Sequence, residues 1–276
     1  MNKIIATMFL LALCHLSKAQ EIPDLTNWKL EALPIGDSIY TANQSPNNWI
    51  FIKKNDRWEI EQSTYTREKG DLLPFTTNFI DKNLKEIKGN RFVKKVSDGF
   101  LVGLNKGEFG GGLYFIETDG LDGYEIANFL NIRSIFEYNS RYFSIEGLAH
   151  LGGQRGQIIE IFKEDKLWKD KSITQLVEAP ALIADYGKEK IIITSQYILK
   201  FGQDFKITEI LKSPMYWGML YPSSIIVDKN DVYLAMRKGV LKIKHLTHYQ
   251  STNGMFQSSK HKHHLHQRRE HIIQNH

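Results

Sequence analysis

The sequence repeats one arrangement five times: a short strand, a polar turn, a second strand, another turn and a third strand. The clearest copy runs from Ser224 to Ile243, with polar turns at Asp228–Asp231 and Arg237–Gly239. Short alternating or β-branched runs dominate, and the periodicity of a helix is nearly absent. The chain is therefore predicted to be all-β.

The spacing of the copies indicates how the strands are organised. The second strands begin at Trp49, Phe100, Tyr142, Ile191 and Val232, in steps of 51, 42, 49 and 41 residues. A period of about 40–50 residues with four strands per repeat is typical of β-propeller blades. Fourth strands are predicted at Leu84–Lys88, Tyr124–Leu130, Ile173–Glu178 and Lys206–Leu211. The main prediction is a five-bladed β-propeller, and the alternative is a pair of β-sandwiches.

The two ends of the repeat region predict how the propeller closes. The last copy has no fourth strand after Ile243, whereas a spare strand, Trp28–Leu33, precedes the first copy, which begins at Ser38–Thr41. Propellers often borrow a strand from the opposite terminus, because this removes open sheet edges. We expect Trp28–Leu33 to pair with Val240–Ile243.

The last copy resembles the repeats of two-component-regulator and NHL-type propellers. Those repeats have an Asp before a polar turn, then an aromatic–Leu/Ile–small triplet, then a Gly that opens the next strand. Asp228, Tyr233–Ala235 and Gly239 occupy these places. The other copies match loosely, since Ile191–Phe201 lacks the closing glycine. The resemblance implies a propeller fold and no particular activity, since propellers include sensors, binders and enzymes.

The N-terminus predicts export. A basic start at Lys3, an apolar run from Ile4 to Cys14 and a small-x-small ending at Ser17 and Ala19 describe a secretory signal peptide at 1–19. Lipidation of Cys14 is disfavoured because Leu13 stands where a lipoprotein signal has a small residue. The run is too short to span a bilayer. The mature chain is predicted to be cysteine-free, extracytoplasmic (periplasmic or secreted) and without a membrane span.

The C-terminal segment 245–276 differs in composition from the propeller domain predicted at 20–244. It holds eight of the ten histidines and has almost no apolar periodicity, so it is predicted to be a disordered tail. The cluster of His261, His263, His264 and His266 has adventitious affinity for divalent metals, whereas no metal site is predicted in the domain. No cofactor is predicted.

The charge distribution disfavours nucleic acid as a partner. The net charge of +5 comes from the two termini, with +2 in residues 1–19 and +3 in residues 245–276. The remaining body is neutral and offers no electrostatic footprint for a polyanion.

A duplicated insertion points to a binding face. Gly103-Leu104 stands nine and eight residues before Gly112, and Gly147-Leu148 stands at the same distances before Gly156. Loops between second and third strands share a propeller face with the links between blades, and functional groups gather on such loops. The alternative explanation is an elongated hairpin whose glycines supply positive φ angles.

The loops of this face supply the candidate site. The ligand-binding residues are predicted to be Lys106, Glu108, Glu146, His150, Gln154, Arg155, Trp217, Tyr221 and Arg237. We expect Glu146, His150, Arg155 and Trp217 to line one concavity. Arg155 is expected to hold an anionic or sugar ligand while contributing little to stability.

The predicted function is binding of a polar small molecule, a sugar, a peptide or a protein partner. The alternative is a secreted hydrolase that acts on a carbohydrate or an ester at the same face. Glu108 and Glu146, or Glu146 and His150, are the groups that acid–base chemistry would use. Gly-x-Ser-x-Gly and His-Glu-x-x-His motifs are absent from the sequence, so no catalytic residue is assigned.

Overall fold

The computed structural model describes residues 22–63, 70–71, 73–74, 90–246 and 255–259. The predicted signal peptide, the strand predicted at Leu84–Lys88 and the histidines at 261–266 lie outside these residues.

Nineteen strands and one short helix make up the regular structure of the described residues, together with two 3₁₀ segments at Gly107–Phe109 and Trp217–Leu220. In chain order they are β1 (Trp28–Glu31), α1 (Ser38–Asn43), β2 (Asn48–Lys54), β3 (Arg57–Ser63), β4 (Asn90–Val96), β5 (Gly99–Asn105), β6 (Gly111–Glu117), β7 (Gly123–Asn128), β8 (Ile132–Tyr138), β9 (Arg141–His150), β10 (Gly153–Glu164), β11 (Leu167–Gln175), β12 (Leu182–Tyr186), β13 (Glu189–Ile193), β14 (Tyr197–Phe201), β15 (Ile207–Lys212), β16 (Ser224–Asp228), β17 (Asp231–Met236), β18 (Gly239–Ile243) and β19 (Met255–Ser259).

The strands form five antiparallel sheets, which are the five blades. The first blade contains β2 and β3, the second β4–β7, the third β8–β11, and the fourth β12–β15. The fifth has the order β16-β17-β18-β19-β1. Tight polar turns produce this pattern: Asn55–Asp56, Asn139–Ser140 and Asp165–Lys166 all have φ between 47° and 69°. Positive φ at both positions is what two-residue hairpin turns require.

Apolar clusters between neighbouring blades hold the sheets together. Representative pairs across these interfaces are Leu113 with Ile132 (second and third blades), Phe143 with Phe201 (third and fourth), Ile193 with Leu234 (fourth and fifth) and Trp49 with Tyr233 (fifth and first). Four interfaces between neighbouring blades are thus formed by described residues, and one of them joins the last blade to the first, which is the arrangement of a propeller. The protein is a β-propeller, and a pair of sandwiches is excluded.

Hydrogen bonds reinforce the contact between the fifth and first blades. The Phe51 amide donates to Ser224 Oγ at 2.8 Å, and the Lys238 amide donates to the Asn47 carbonyl at 2.8 Å. β2 lies against the first three strands of the fifth blade, as β8 lies against the first three strands of the second blade. β2 is therefore the innermost strand of its blade, not the second strand that the sequence predicts.

The fifth blade closes with strands from both ends of the described chain. β1 joins this blade as predicted, but its neighbour is β19 and not β18: Trp28 pairs with Ser259 and Glu31 with Phe256. β19 in turn pairs with β18. β19 lies within segment 245–276, so that segment supplies the fourth strand that the sequence analysis found missing.

Two further strand predictions are wrong. Ser38–Thr41 belongs to helix α1, because Ile39 and Ala42 are buried together with Trp217 and Leu220 instead of extending a sheet. The fourth strand of the third blade is β11, which begins six residues before the predicted Ile173, directly after the Asp165–Lys166 turn.

Glu160 on β10 gives the fold a pH-dependent contribution. Its Oε1 accepts from Arg141 Nε at 2.6 Å, and Lys171 Nζ lies 2.8 Å from Oε2. Burial raises the pKa of the carboxyl, but Arg141 and Lys171 together outweigh burial and hold the pKa below its ordinary value of 4.5. A lowered folded-state pKa stabilises the protein above the unfolded-state pKa, and this stabilisation is lost as the pH falls.

We expect Glu160→Gln to lower the free energy of unfolding by about 2 kcal/mol at pH 7, since hydrogen bonds to a charged group are lost. The difference from the wild type should shrink below pH 4.5, where the unfolded carboxyl takes up a proton. Urea unfolding of both proteins between pH 3 and 7 measures this difference in the free energy of unfolding. A difference that is constant with pH would contradict the assignment.

Candidate functional site

The upper face is defined here as the side that carries the turns between second and third strands and the links between blades. Its turns include Lys106–Gly110, Leu151–Gly152 and Arg237–Lys238, and its links include Phe129–Asn131 and Ser213–Ser223. Eight of the nine predicted site residues lie on these segments or at the strand ends beside them, and Glu146 lies within β9, opposite Ile132.

The glycines of the duplicated insertion have a packing role. A Cβ on Gly147 would lie 2.6 Å from Pro180 Cδ, and one on Gly156 would lie 2.5 Å from the Glu178 carbonyl oxygen. The link to the fourth blade therefore packs directly on these two residues. The two insertions also differ in register: Gly147 pairs with Gly156, whereas Gly112 pairs with Leu104. The third blade forms an extended hairpin here, and the second forms a loop.

Glu146 and Arg155 form an ion pair across the hairpin of the third blade. Arg155 Nη1 donates to both carboxylate oxygens of Glu146, at 3.0 and 2.9 Å. The backbone N–H of Asn131 donates to Oε2 of the same carboxylate at 3.4 Å. Glu146 is 1% exposed, whereas the Arg155 side chain is 47% exposed. Because Arg155 neutralises a buried carboxylate, we predict that it contributes to stability, contrary to the expectation from the sequence.

Glu108 and His150 join the tips of the second and third blades. His150 Nε2 lies 2.7 Å from Glu108 Oε2, and both side chains are partly exposed. The two carboxylates of the predicted hydrolase are therefore engaged by different side chains, Glu146 by Arg155 and Glu108 by His150.

Gln154 lies at the junction of the third and fourth blades, and Trp217 lies in the core between the fourth and fifth blades. Gln154 Nε2 donates to Tyr216 Oη at 2.5 Å, and its Oε1 accepts from Ser195 Oγ at 3.1 Å. Trp217 is 1% exposed, and its Nε1 donates to the Thr194 carbonyl at 2.7 Å. The prediction that Trp217 lines a concavity is wrong, because its indole is part of the core.

Tyr221 and Arg237 lie together at the junction of the fifth and first blades. The Arg237 guanidinium stands 4.7 Å from the centre of the Tyr221 ring, and its Nη1 donates to the Asn43 carbonyl at 2.8 Å. Lys106 is half-buried in the turn of the second blade, and its amide donates to the Gly110 carbonyl. The nine residues are thus spread around the face in separate groups and do not line one concavity.

Two polar residues that the sequence analysis missed lie beside Glu146. Asn131 is 1% exposed, and neither its Nδ2 nor its Oδ1 has a hydrogen-bond partner. Arg133 Nε is buried and also lacks one. Burial lowers the pKa of the Arg133 guanidinium, and the Glu146 carboxylate opposes this effect. No sequence signal distinguishes these residues from other polar residues at the start of a strand.

Exposed apolar side chains are concentrated on the upper face. Those on its turns, links and helix α1 are Tyr40, Phe109, Phe129, Leu151, Val177 and Tyr221, each more than half exposed. Phe109, Phe129 and Leu151 lie on adjoining segments of the second and third blades, and we call them the apolar rim. The turns of the opposite face are mainly polar, with Leu121 and Leu167 as exceptions.

Two cavities among the described residues lie away from these groups. One, of about 510 Å³, is lined by Ile22–Thr26, Tyr233, Lys242 and Lys244. The other, of about 600 Å³, is lined by Tyr186–Glu189, Gln203 and Asp204. Within the described part of the chain, no group of three His, Cys, Asp or Glu side chains could hold a metal ion. No helix there is long and apolar enough to cross a membrane.

No protein-family model and no curated protein matches the sequence. Solved structures give weak similarities. Virginiamycin B lyase from Staphylococcus aureus aligns with 62% of this chain and 55% of its own, at 14% identity and a TM-score of 0.38. A protein of unknown function from Bacteroides thetaiotaomicron aligns over 72% and 54%, at 12% identity and a TM-score of 0.40. The Nup133 β-propeller domain of Vanderwaltozyma polyspora aligns over 70% and 64%, at 9% identity and a TM-score of 0.24.

The chain spans about half the length of the first two of these proteins. At such TM-scores and identities the similarities carry no argument about activity. The propeller assignment rests on the sheet order and the packing of neighbouring blades.

Proposed function

We propose that the protein is an exported binding module whose upper face docks a segment of a partner protein. The observation that carries this proposal is the apolar rim. Phe109 is 79% exposed, Phe129 75% and Leu151 92%, on adjoining segments of two neighbouring blades. Exposed apolar groups that cluster on one face and are bordered by polar residues are typical of interaction sites.

The arrangement of the rim supports a single docking patch. A Cβ on Gly110 would lie 3.5 Å from Phe129 Cδ1, so Phe129 adjoins the turn that carries Phe109. The contact between Glu108 and His150 joins the residues that precede Phe109 and Leu151 in the chain. The rim combines two phenylalanines with a leucine. A purely aromatic surface would suit a sugar, whereas this mixture of aromatic and aliphatic side chains favours the apolar side chains of a polypeptide.

The charges at the rim indicate the chemistry of the partner. Glu146 is paired with Arg155, and Glu108 contacts His150. Lys106 and Arg133 have no acidic partner within ion-pair distance among the described residues. The patch thus combines apolar surface with unneutralised positive charge. A partner segment that carries an acidic residue among apolar residues would complement this patch in both charge and apolar surface.

A random peptide library displayed on phage, selected on the immobilised protein, tests the proposal. We expect selected peptides to bind the double variant Phe109→Ser/Leu151→Ser at least tenfold more weakly than the wild type, because central apolar contacts are lost. Both side chains are exposed, so thermal stability should be unchanged.

Leu121→Ser is the matched control, since Leu121 is 84% exposed and lies on the opposite face. It should bind the same peptides with wild-type affinity in fluorescence anisotropy. Peptides that lose affinity for Leu121→Ser but not for the rim variant would contradict the proposal, as would a selection that yields no binder.

A further inference from the structure

Arg133 is placed by an irregularity of the innermost strand of the third blade. Ile132 pairs with Glu146 and Ser134 with Ile145, so Arg133 is the extra residue of a β-bulge between β8 and β9. The other register shifts of the described sheets lie between third and fourth strands, as at Leu113–Tyr114. A bulge redirects a side chain, and bulges are frequent beside functional sites.

The charges around Arg133 do not balance. Glu146 is the acidic group that interacts with Arg133, and it already accepts two hydrogen bonds from Arg155. One carboxylate therefore faces two guanidinium groups. The excess of one positive charge lies close to the apolar rim, because Arg155 Nη2 donates to the carbonyl of Phe129 at 3.3 Å.

Asn131 adds unsatisfied hydrogen-bonding capacity to the same place. Its amide is buried, with both a donor and an acceptor left unpaired. A buried polar group without a partner is costly, and native structures usually pair such groups. A peptide group supplies the matching acceptor and donor together, and an ordered water does so as well.

We infer that Arg133 and Asn131 form an oxyanion subsite that receives an Asp or Glu carboxylate of the segment docked on the apolar rim. This inference rests on the proposed function and specifies its ligand. The carboxylate pairs with the partly exposed Arg133, and the adjacent peptide group or a water serves Asn131. A guanidinium suits this role because its planar donors match a carboxylate in a bidentate geometry.

The backbone beside the subsite has an unusual conformation. Phe129 has a φ of 55°, a conformation that is uncommon for a bulky residue. Such backbone conformations are frequent in ligand clamps. The Phe129–Asn131 link therefore carries an unusual backbone conformation directly beside the proposed subsite.

The test is a double-mutant cycle with a selected peptide. We expect changing the acidic residue of the peptide to its amide to weaken binding to the wild type about tenfold, the effect of losing a charge-assisted hydrogen bond. Arg133→Gln should weaken binding of the acidic peptide equally and leave the amide peptide unaffected. Arg133→Lys should give an intermediate affinity, since it keeps the charge without the planar donors.

The outcomes separate the subsite from the docking face. Peptides that require the apolar rim but bind equally well as acid and amide overturn the subsite and leave the proposed function standing. This arm uses wild-type protein, so it does not depend on the folding of any variant. Binding of oligogalacturonate that is lost in Arg133→Gln, with no peptide binding, would assign the subsite to an acidic sugar and overturn the inference.

Discussion

Arg155→Ala is expected to lower the free energy of unfolding by about 3 kcal/mol, although the Arg155 side chain is nearly half exposed. The substitution leaves Glu146 buried without the cation that binds both of its oxygens. Removing one partner of a buried ion pair costs about 3–5 kcal/mol, and the exposure of Arg155 places the expected value at the lower end. For a domain of this size the melting temperature should fall by about 6–12 °C.

Two variants separate the buried charge from general effects of losing a side chain. Glu146→Gln/Arg155→Ala also removes the stranded carboxylate and should recover part of the lost stability. Lys169→Ala removes the partner of Glu164 in the same blade, where both side chains are about half exposed, and should change stability by less than about 1 kcal/mol. Equal melting temperatures for Arg155→Ala and Lys169→Ala would contradict the role of the pair.

Arg133 makes the outcome of this experiment informative about the subsite. In Arg155→Ala it is the remaining cation that interacts with Glu146. Adding Arg133→Gln should therefore destabilise Arg155→Ala more than it destabilises the wild type. Coupling of this kind is expected where residues share one charge network.

The sequence predicted the inner strands of the second to fifth blades well, because their alternation is strong and their turns are explicit. Val232–Met236, for example, alternates between two short polar turns and is found as Asp231–Met236. Outer strands were harder to predict. β11 carries Lys169, Asp170 and Lys171 in succession, since its outward face is solvated, and such a run has the composition of a loop.

The candidate site was predicted only as a set of loops. Loop position alone suggested that Trp217 is exposed, yet its indole fills the core between the fourth and fifth blades. The pairing of Glu146 with Arg155 depends on the register of a hairpin. The interaction of Arg133 with Glu146 depends on a β-bulge. Neither register nor bulge can be read from the local pattern of apolar residues.

The second large effect on stability is expected when part of the segment after residue 244 is deleted. β19 pairs with β18 through three residues and with β1 through four, so it joins the N-terminal strand to the fifth blade. Antiparallel pairing supplies about one hydrogen bond per residue pair, each worth about 0.5–1.5 kcal/mol net. Deleting residues 255–276 should therefore cost about 5 kcal/mol and lower the melting temperature by about 10–20 °C.

Deleting residues 260–276 is the matched control, because it removes His261, His263, His264 and His266 but keeps β19. This variant should have the same melting temperature as the full chain and should no longer be retained on a nickel column. The longer deletion should melt earlier, since it leaves β18 as an open edge and β1 without its neighbour. If both deletions melt with the full chain, the propeller ends at residue 244, as the composition of the sequence predicts, and the pairing of β1 with β19 contributes nothing to its closure.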